Sequence, residues 1–131
     1  MRSDQHLTKI TKSREYARLA TQGFRFPSAS WVILAAREDN QTPAVGIVAS
    51  KKVGNAVVRN LAKRKMRALA REVLGSDKRL QGYKLVMIAK SRLLERDHQI
   101  LKRELRYCVA EIVKQLQNTN DGGKQPTISN N

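Results

Sequence analysis

A strand that leads through a tight turn into a basic helix constrains this chain more than any other feature. The apolar strand ends near Ser50, and Gly54-Asn55 forms the turn. At about 100° per residue, one stripe of the following helix is apolar: Val58, Ala62, Met66, Leu69 and Val73. A helix of this kind buries its stripe against another element, here a sheet. The segment therefore predicts a layered domain of helices on strands.

The other side of this helix carries basic residues and no acidic residue that would neutralise them. From Lys51 to Arg71 the sequence has eight basic residues and no acidic one, within a chain of net charge +15. Solvated helix faces usually mix signs, because i,i+4 pairs stabilise them, whereas this face repels itself until a polyanion binds. Cations on successive turns can each contact a phosphate and release counterions. The pattern therefore indicates a nucleic-acid partner.

The run from Lys52 to Asn60, Lys-Val-Gly-Asn-Ala-Val-Val-Arg-Asn, with Lys63-Arg64 after it, resembles the signature of bacterial ribonuclease P protein components. The resemblance extends from about Leu7 to Leu116. It implies that an RNA subunit performs the hydrolysis with bound Mg2+, while the protein holds no cofactor of its own. The implied partners are ribonuclease P RNA and precursor tRNA. The residues expected to contact the catalytic RNA are Lys51, Lys52, Asn55, Arg59, Asn60, Lys63, Arg64, Arg67 and Arg71.

One departure from the family pattern concerns two positions of the helix. The family usually has Arg where this chain has Leu61, and an apolar residue where it has Lys65. The two positions lie one turn apart on the same edge of the helix, so the charge moves along by one turn. We expect Leu61 to pack at the edge of the core.

The resemblance also implies a cleft between the sheet and the first helix that receives the 5′ leader of precursor tRNA. Bases stacked on aromatic rings give binding that tolerates many sequences. Members of the family carry further aromatic residues where this chain has Ala20 and Leu34. Periodicity alone favours core packing for Tyr16, and the neighbours of Trp31 leave open whether it lines the cleft or packs in the core. The expected cleft residues are Tyr16, Trp31, Val48 and Lys90.

Periodicity and turn residues predict the remaining elements. A first helix covers 13–22 and ends at Gly23, which we expect to be a left-handed cap. Further elements are strands at 24–27, 31–37, 44–50 and 83–89 and a last helix at about 95–117. These elements predict an α+β sandwich, a four-stranded mixed sheet with three helices of the ribosomal-protein or ferredoxin-like kind. The resemblance implies a left-handed βαβ crossover, which is the rare hand.

The elements define one RNA-binding domain over 13–117, after a loosely ordered segment, 1–12, and before a disordered tail, 118–131. No stretch approaches the roughly 18 apolar residues of a membrane-spanning helix, and the polar start is unlike a signal peptide. We therefore expect a cytoplasmic protein with no membrane partner. Cys108 falls on an apolar helix face and is expected in the core, while His6 and His98 lack neighbours at zinc-ligand spacing.

Three other functions fit parts of this pattern. A structured-RNA-binding protein without a role in cleavage has the same charge and fold class. A protein-only nuclease requires a carboxylate cluster for metal-dependent cleavage, and the eleven acidic residues are scattered. A DNA-binding module requires a helix that protrudes into a groove, whereas this one is embedded on a sheet, so no DNA partner is expected.

Overall fold

The structure, a computed structural model, describes residues 8–9, 13–37, 44–75 and 77–118. Its three helices are α1 (Ser13–Gln22), α2 (Ala56–Leu69) and α3 (His98–Asn118). Its strands are β1 (Thr8–Lys9), β2 (Phe24–Pro27), β3 (Trp31–Arg37), β4 (Ala44–Val48) and β5 (Tyr83–Ala89). Most of the predicted segments 1–12 and 118–131 lies outside the described residues.

The strands form one sheet in the order β1-β4-β5-β3-β2. Strands β4 and β5 are parallel neighbours, and β3 pairs antiparallel with β5 and with β2. The predicted four-stranded mixed sheet with three helices is therefore confirmed, and the two-residue β1 extends it in parallel beside β4. The unit β4-α2-β5 is a βαβ crossover, whose left hand stays a prediction.

The main core lies between one face of the sheet and the two long helices. Alternation along β3 directs Trp31, Ile33 and Ala35 into it, because successive side chains of a strand point to opposite faces. The helices contribute fully buried residues at i, i+3 and i+4 spacing: Ala62, Met66 and Leu69 from α2 and Leu101, Leu105, Cys108 and Ile112 from α3. Cys108 is thus a core residue, as its position in the periodic pattern predicted.

A smaller core occupies the opposite face of the sheet, under α1. Leu19 is completely buried there against Leu34, Ala44 and Val86. Since α1 is only ten residues long, it covers part of this face. The sheet therefore has one face covered by two helices and one face that is partly open.

Two element boundaries differ from those predicted. Helix α3 begins at His98 and not near Glu95, because Ser91–Glu95 form a 3-10 turn and Asp97 starts the helix instead. The Asp97 side chain accepts a hydrogen bond from the Ile100 N–H at 3.1 Å, as helix-capping residues do. Strand β4 ends at Val48, two residues before the predicted end at Ser50.

Gly23 ends α1 for a reason other than the predicted one. It does not have the positive φ of a left-handed cap, since the glycines with positive φ among the described residues are Gly54 and Gly82. A Cβ at Gly23 would instead lie 2.7 Å from the Leu19 carbonyl oxygen and 2.8 Å from that of Ala35. The close approach of α1 to β3 is therefore what requires glycine.

Candidate nucleic-acid interface

The turn that begins α2 fixes the direction of the basic helix. Asn55 is its N-cap, and its side-chain oxygen accepts a hydrogen bond from the Val58 N–H at 3.0 Å. Gly54 has φ +154°, and a Cβ there would lie 2.8 Å from Cγ1 of Val58. The Gly-Asn pair is thus a structural requirement of this turn. The cap occupies the Asn55 oxygen, which leaves its amide N–H groups for the RNA contact predicted at this position.

The basic residues predicted on α2 and on the segments next to it face solvent. Arg59 and Lys63 are partly buried, and the others are exposed, as is Asn60. Within the described residues, none of these cations pairs with a carboxylate. We name this set the basic surface: Lys51, Lys52, Arg59, Lys63, Arg64, Arg67 and Arg71.

The acidic residue that follows α2 is turned away from the basic surface. Glu72 lies in the π-helical turn Ala70–Leu74 that continues α2. Its carboxylate contacts His98 Nε2 at 3.1 Å and Lys102 Nζ at 3.3 Å, both on α3. The hydrogen bond with His98 and the neighbouring Lys102 lower the pKa of Glu72 against the opposing effect of its desolvation. Glu72 therefore joins α2 to α3 and does not neutralise the basic surface.

Leu61 does not pack at the edge of the core, so that prediction is wrong. Ala62, Met66 and Leu69 fill the contact with the sheet, and Leu61 lies beyond their stripe with 43% of its surface exposed. Val57, one turn earlier, is 76% exposed. Lys65 lies one turn after Leu61 and is partly buried. Val57 and Leu61 therefore form a short exposed apolar strip along one side of α2, and Lys65 follows it one turn later.

The carboxyl ends of β4 and β5 meet at one edge of the sheet, because the two strands are parallel neighbours. Lys51 and Lys52 follow the first strand, and Lys90 follows the second. The Lys90 ammonium donates to the Ser28 carbonyl oxygen at 2.6 Å, and its backbone N–H donates to the Ser30 carbonyl oxygen at 2.9 Å. Lys90 is thus held against the turn between β2 and β3.

The open face of the sheet carries a row of apolar side chains at the same edge. The register places Val48 beside Ile88 and Ile88 beside Val32. All three side chains are partly exposed, and all three pack against the smaller core. We name Val32, Val48 and Ile88 the cleft row. Val48 was predicted at the cleft, but Val32 and Ile88 were missed, because only the strand register brings them beside it.

The structure decides the position of one of the two aromatic residues predicted at the cleft. Trp31 is completely buried in the main core, on the face of β3 opposite to the cleft row. The sequence left open whether Trp31 lines the cleft or packs in the core. The structure places it in the core, so the prediction that it lines the cleft is wrong. Tyr16 lies in α1, one turn before Leu19, but its side chain is outside the described residues and its role stays a prediction.

Among the residues that the structure describes, no group of three or more His, Cys, Asp and Glu side chains has the arrangement of a metal site. In the same ranges, the helices are too short or too polar to cross a membrane.

The fold and the interface define a basic α+β sandwich, with an uncompensated helix face beside a partly open sheet. Solved structures share this fold. The Staphylococcus aureus ribonuclease P protein superposes with a TM-score of 0.67 at 23% identity, over 80% of this chain and 96% of that one. The Thermotoga maritima ribonuclease P protein gives 0.67 at 22% identity, over 81% and 96%.

Sequence comparison identifies the family. The Ribonuclease P family profile matches residues 5–113. The ribonuclease P protein component of Gluconacetobacter diazotrophicus is 35% identical over 99 residues, 75% of this chain and 84% of the relative. That of Streptococcus agalactiae serotype Ia is 33% identical over 97 residues, 74% and 86%. The chain belongs to the family of ribonuclease P protein components, which confirms the resemblance read from its basic segment.

Proposed function

We propose that the chain binds ribonuclease P RNA through its basic surface and the 5′ leader of precursor tRNA through its cleft row. In this proposal it assists the RNA-catalysed removal of the leader, which yields mature tRNA 5′ ends. The observation that carries the proposal is the basic surface, whose cations have no carboxylate partner in the described ranges. Such a surface gains most from a phosphate backbone, because each contact releases condensed counterions.

The two parts of the interface have different tasks. Contacts of the basic surface with RNA phosphates reduce electrostatic repulsion in the assembled enzyme, so that less Mg2+ is needed. The cleft row offers apolar contact to unpaired bases, and Lys90 supplies a cation at its end. Since mature tRNA has no leader, contacts made by the cleft row favour the substrate over the product. Mg2+ is held by the RNA in this proposal, and the protein carries no catalytic residue.

The cellular setting follows from the same proposal. Precursor tRNA and the catalytic RNA are cytoplasmic in bacteria, so we expect the protein there, with no membrane and no DNA partner. The strongest rival is a structured-RNA-binding protein that has no part in cleavage.

Cleavage at low Mg2+ separates the proposal from this rival. Precursor tRNA is incubated with the ribonuclease P RNA of the same organism, with and without the full-length protein, and also with the protein alone. We expect leader removal only when RNA and protein are both present. Binding of RNA without any effect on cleavage would favour the rival. Cleavage by the protein alone would contradict the proposal that the RNA carries the chemistry.

A charge substitution tests the basic surface itself. Removal of two phosphate contacts in the variant Arg59→Ala/Lys63→Ala should lower the slope of log Kd against log salt by about 1.4 to 1.8. The matched control is Lys78→Ala/Arg79→Ala, which removes the same charge from the 3-10 turn before β5. We expect a smaller change for the control. Equal slopes for the two double variants would refute the assignment of the basic surface.

A further inference from the structure

Aromatic side chains are concentrated at the β2 edge of the sheet. The ring centroids of Phe24 and Phe26 are 6.3 Å apart, and those of Phe26 and Tyr107 are 6.4 Å apart. Both phenylalanines of the chain and one of its three tyrosines are in this group. The rings are tilted by 36° and 54°, in the range of favourable aromatic pairs. Strand β2 and helix α3 thus share one aromatic cluster.

Core packing explains only part of this cluster. Phe24 and Phe26 are partly buried and pack against the main core. Tyr107 is 62% exposed, so burial stabilises it little, and packing does not require an aromatic residue at this position. Ile100, two turns earlier on the same side of α3, is 38% exposed. The cluster therefore presents one open ring face and an apolar neighbour to solvent.

The surroundings of the open ring are cationic. Arg103 and Arg106 are exposed near Tyr107 on α3, and neither forms an ion pair in the ranges that the structure describes. Of the nearby carboxylates, Glu111 contacts Lys114 at 3.8 Å. Glu104 accepts hydrogen bonds from Ser30 N–H and Oγ at 2.9 and 2.7 Å. Both carboxylates thus have partners, while the two guanidinium groups remain available.

This cluster lies apart from the proposed RNA contacts. Helix α2 packs against β4 and β5, whereas α3 packs against β2 and β3. In the sheet order β4-β5-β3-β2 the two helices therefore cover opposite halves. The cleft row lies on the other face of the sheet. The aromatic cluster is consequently a separate surface at the free β2 edge.

We propose that this surface, formed by Phe24, Phe26, Arg103, Arg106 and Tyr107, binds a second segment of single-stranded RNA. A base stacks on the exposed ring of Tyr107, and the two arginines contact the flanking phosphates. Stacking on an aromatic ring beside cations is the usual way to bind single strands without sequence preference. Charge complementarity favours RNA over a protein partner. The proposal goes beyond the function proposed above, since it requires neither the catalytic RNA nor cleavage.

The first test isolates the surface from the basic helix. Anisotropy of a fluorescein-labelled 12-nucleotide oligouridine is measured with full-length protein that carries Arg59→Ala/Lys63→Ala/Arg67→Ala. Adding Tyr107→Ala should weaken binding about 5- to 150-fold, the usual effect of losing one stacked base. Adding Tyr107→Phe, which keeps the stacking ring, should leave Kd within about twofold of the parent. A Tyr107→Ala variant that binds as its parent does would overturn the proposal.

The second test uses the unsubstituted protein, so it does not depend on the folding of a variant. RNA containing 5-iodouridine is irradiated in the complex, and the crosslinked peptide is identified by mass spectrometry. A crosslink to Tyr107 supports the proposal, whereas crosslinks confined to the basic surface and the cleft row contradict it. The surface could instead bind a second copy of the chain, and sedimentation of the free protein tests this alternative. A dimer that Tyr107→Ala abolishes, with unchanged RNA affinity, would show that the surface is a dimer interface.

Discussion

Removal of the Glu104 carboxylate should destabilise the fold more than any other single charge change on α3. Glu104 accepts hydrogen bonds from the Ser28 hydroxyl, the Ser30 hydroxyl and the Ser30 N–H. These bonds join α3 to the turn between β2 and β3. Because Ser30 is completely buried, its two donors cannot turn to water when the carboxylate is lost.

The expected magnitude follows from these contacts. A buried donor left without an acceptor costs about 1–3 kcal/mol, and Glu104→Ala leaves two on Ser30. Since the site relaxes partly and admits some water, we expect a total loss of about 2–4 kcal/mol from the free energy of unfolding. Glu104→Gln keeps one acceptor oxygen and the shape of the side chain, so it should cost about 1–2 kcal/mol. For a domain of this size, each kcal/mol lowers Tm by about 4 °C.

The free energy of unfolding that is lost when the Glu104 carboxylate is removed should also depend on pH. Burial alone would raise the pKa of Glu104, but the hydrogen bonds from Ser28 and Ser30 and the nearby Arg96 outweigh it and lower this pKa below its ordinary value of 4.5. A folded pKa below the unfolded one contributes stability above about pH 4.5, and the contribution disappears as the pH falls through the folded pKa. The difference between wild type and Glu104→Gln should therefore be full at pH 7 and shrink below pH 4.5.

Urea unfolding followed by circular dichroism between pH 3 and pH 7 measures both effects. The matched control is Glu111→Gln, a carboxylate on the same helix whose contact with Lys114 is long and largely exposed. Such pairs contribute under about 0.5 kcal/mol. The reasoning is refuted if Glu104→Ala costs no more than this control, or if the Glu104→Gln difference persists unchanged at pH 3.

Substitutions at three positions test the helix that carries the basic surface. Asn55→Ala should lower the free energy of unfolding, measured with urea, by about 1 kcal/mol because the N-cap is lost. Asn55→Asp should keep the cap, but its added negative charge should weaken RNA binding in a filter-binding assay. Gly54→Ala should destabilise by more than about 1 kcal/mol in the same unfolding assay, since a Cβ there would collide with Val58; wild-type stability would exclude that collision. Leu61→Arg should raise RNA affinity about two- to tenfold and steepen the salt dependence by about one phosphate contact, because the side chain is exposed at the border of the basic surface; an unchanged salt slope in anisotropy titrations would show that RNA does not reach this edge.

The sequence predicted most strongly what depends on local pattern. Apolar periodicity located α2 and β5, and Asn55 indicated where the basic helix begins. The position of Trp31 could not be obtained in this way, because the face that a strand residue occupies depends on which helices cover the sheet. Leu61 shows the same limit on a helix: its wheel position is only a few tens of degrees from the buried stripe, and the width of the sheet contact decides its exposure.

Contacts between distant parts of the chain account for the rest of what the sequence did not predict. The cleft row requires the register of β3, β4 and β5, which no single strand contains. The aromatic cluster joins Phe26 to Tyr107, and their proximity follows only once α3 packs over β2. The arrangement of the basic residues along α2, by contrast, can be read directly from the sequence, because these residues lie on a single helix and need no long-range contact to be placed.

The turn between β2 and β3 connects the helical side of the sheet with the proposed cleft. Its two serines are bonded to Glu104 of α3, and their carbonyl oxygens accept the two hydrogen bonds of Lys90. Any loosening of the Glu104 contacts therefore frees the turn that holds Lys90 at the end of the cleft row. A substitution on α3, remote from the open face, should in this way reduce leader binding without touching a residue of the cleft. The fold thus uses one partly buried carboxylate both to hold α3 against the turn between β2 and β3 and, through that turn, to position Lys90.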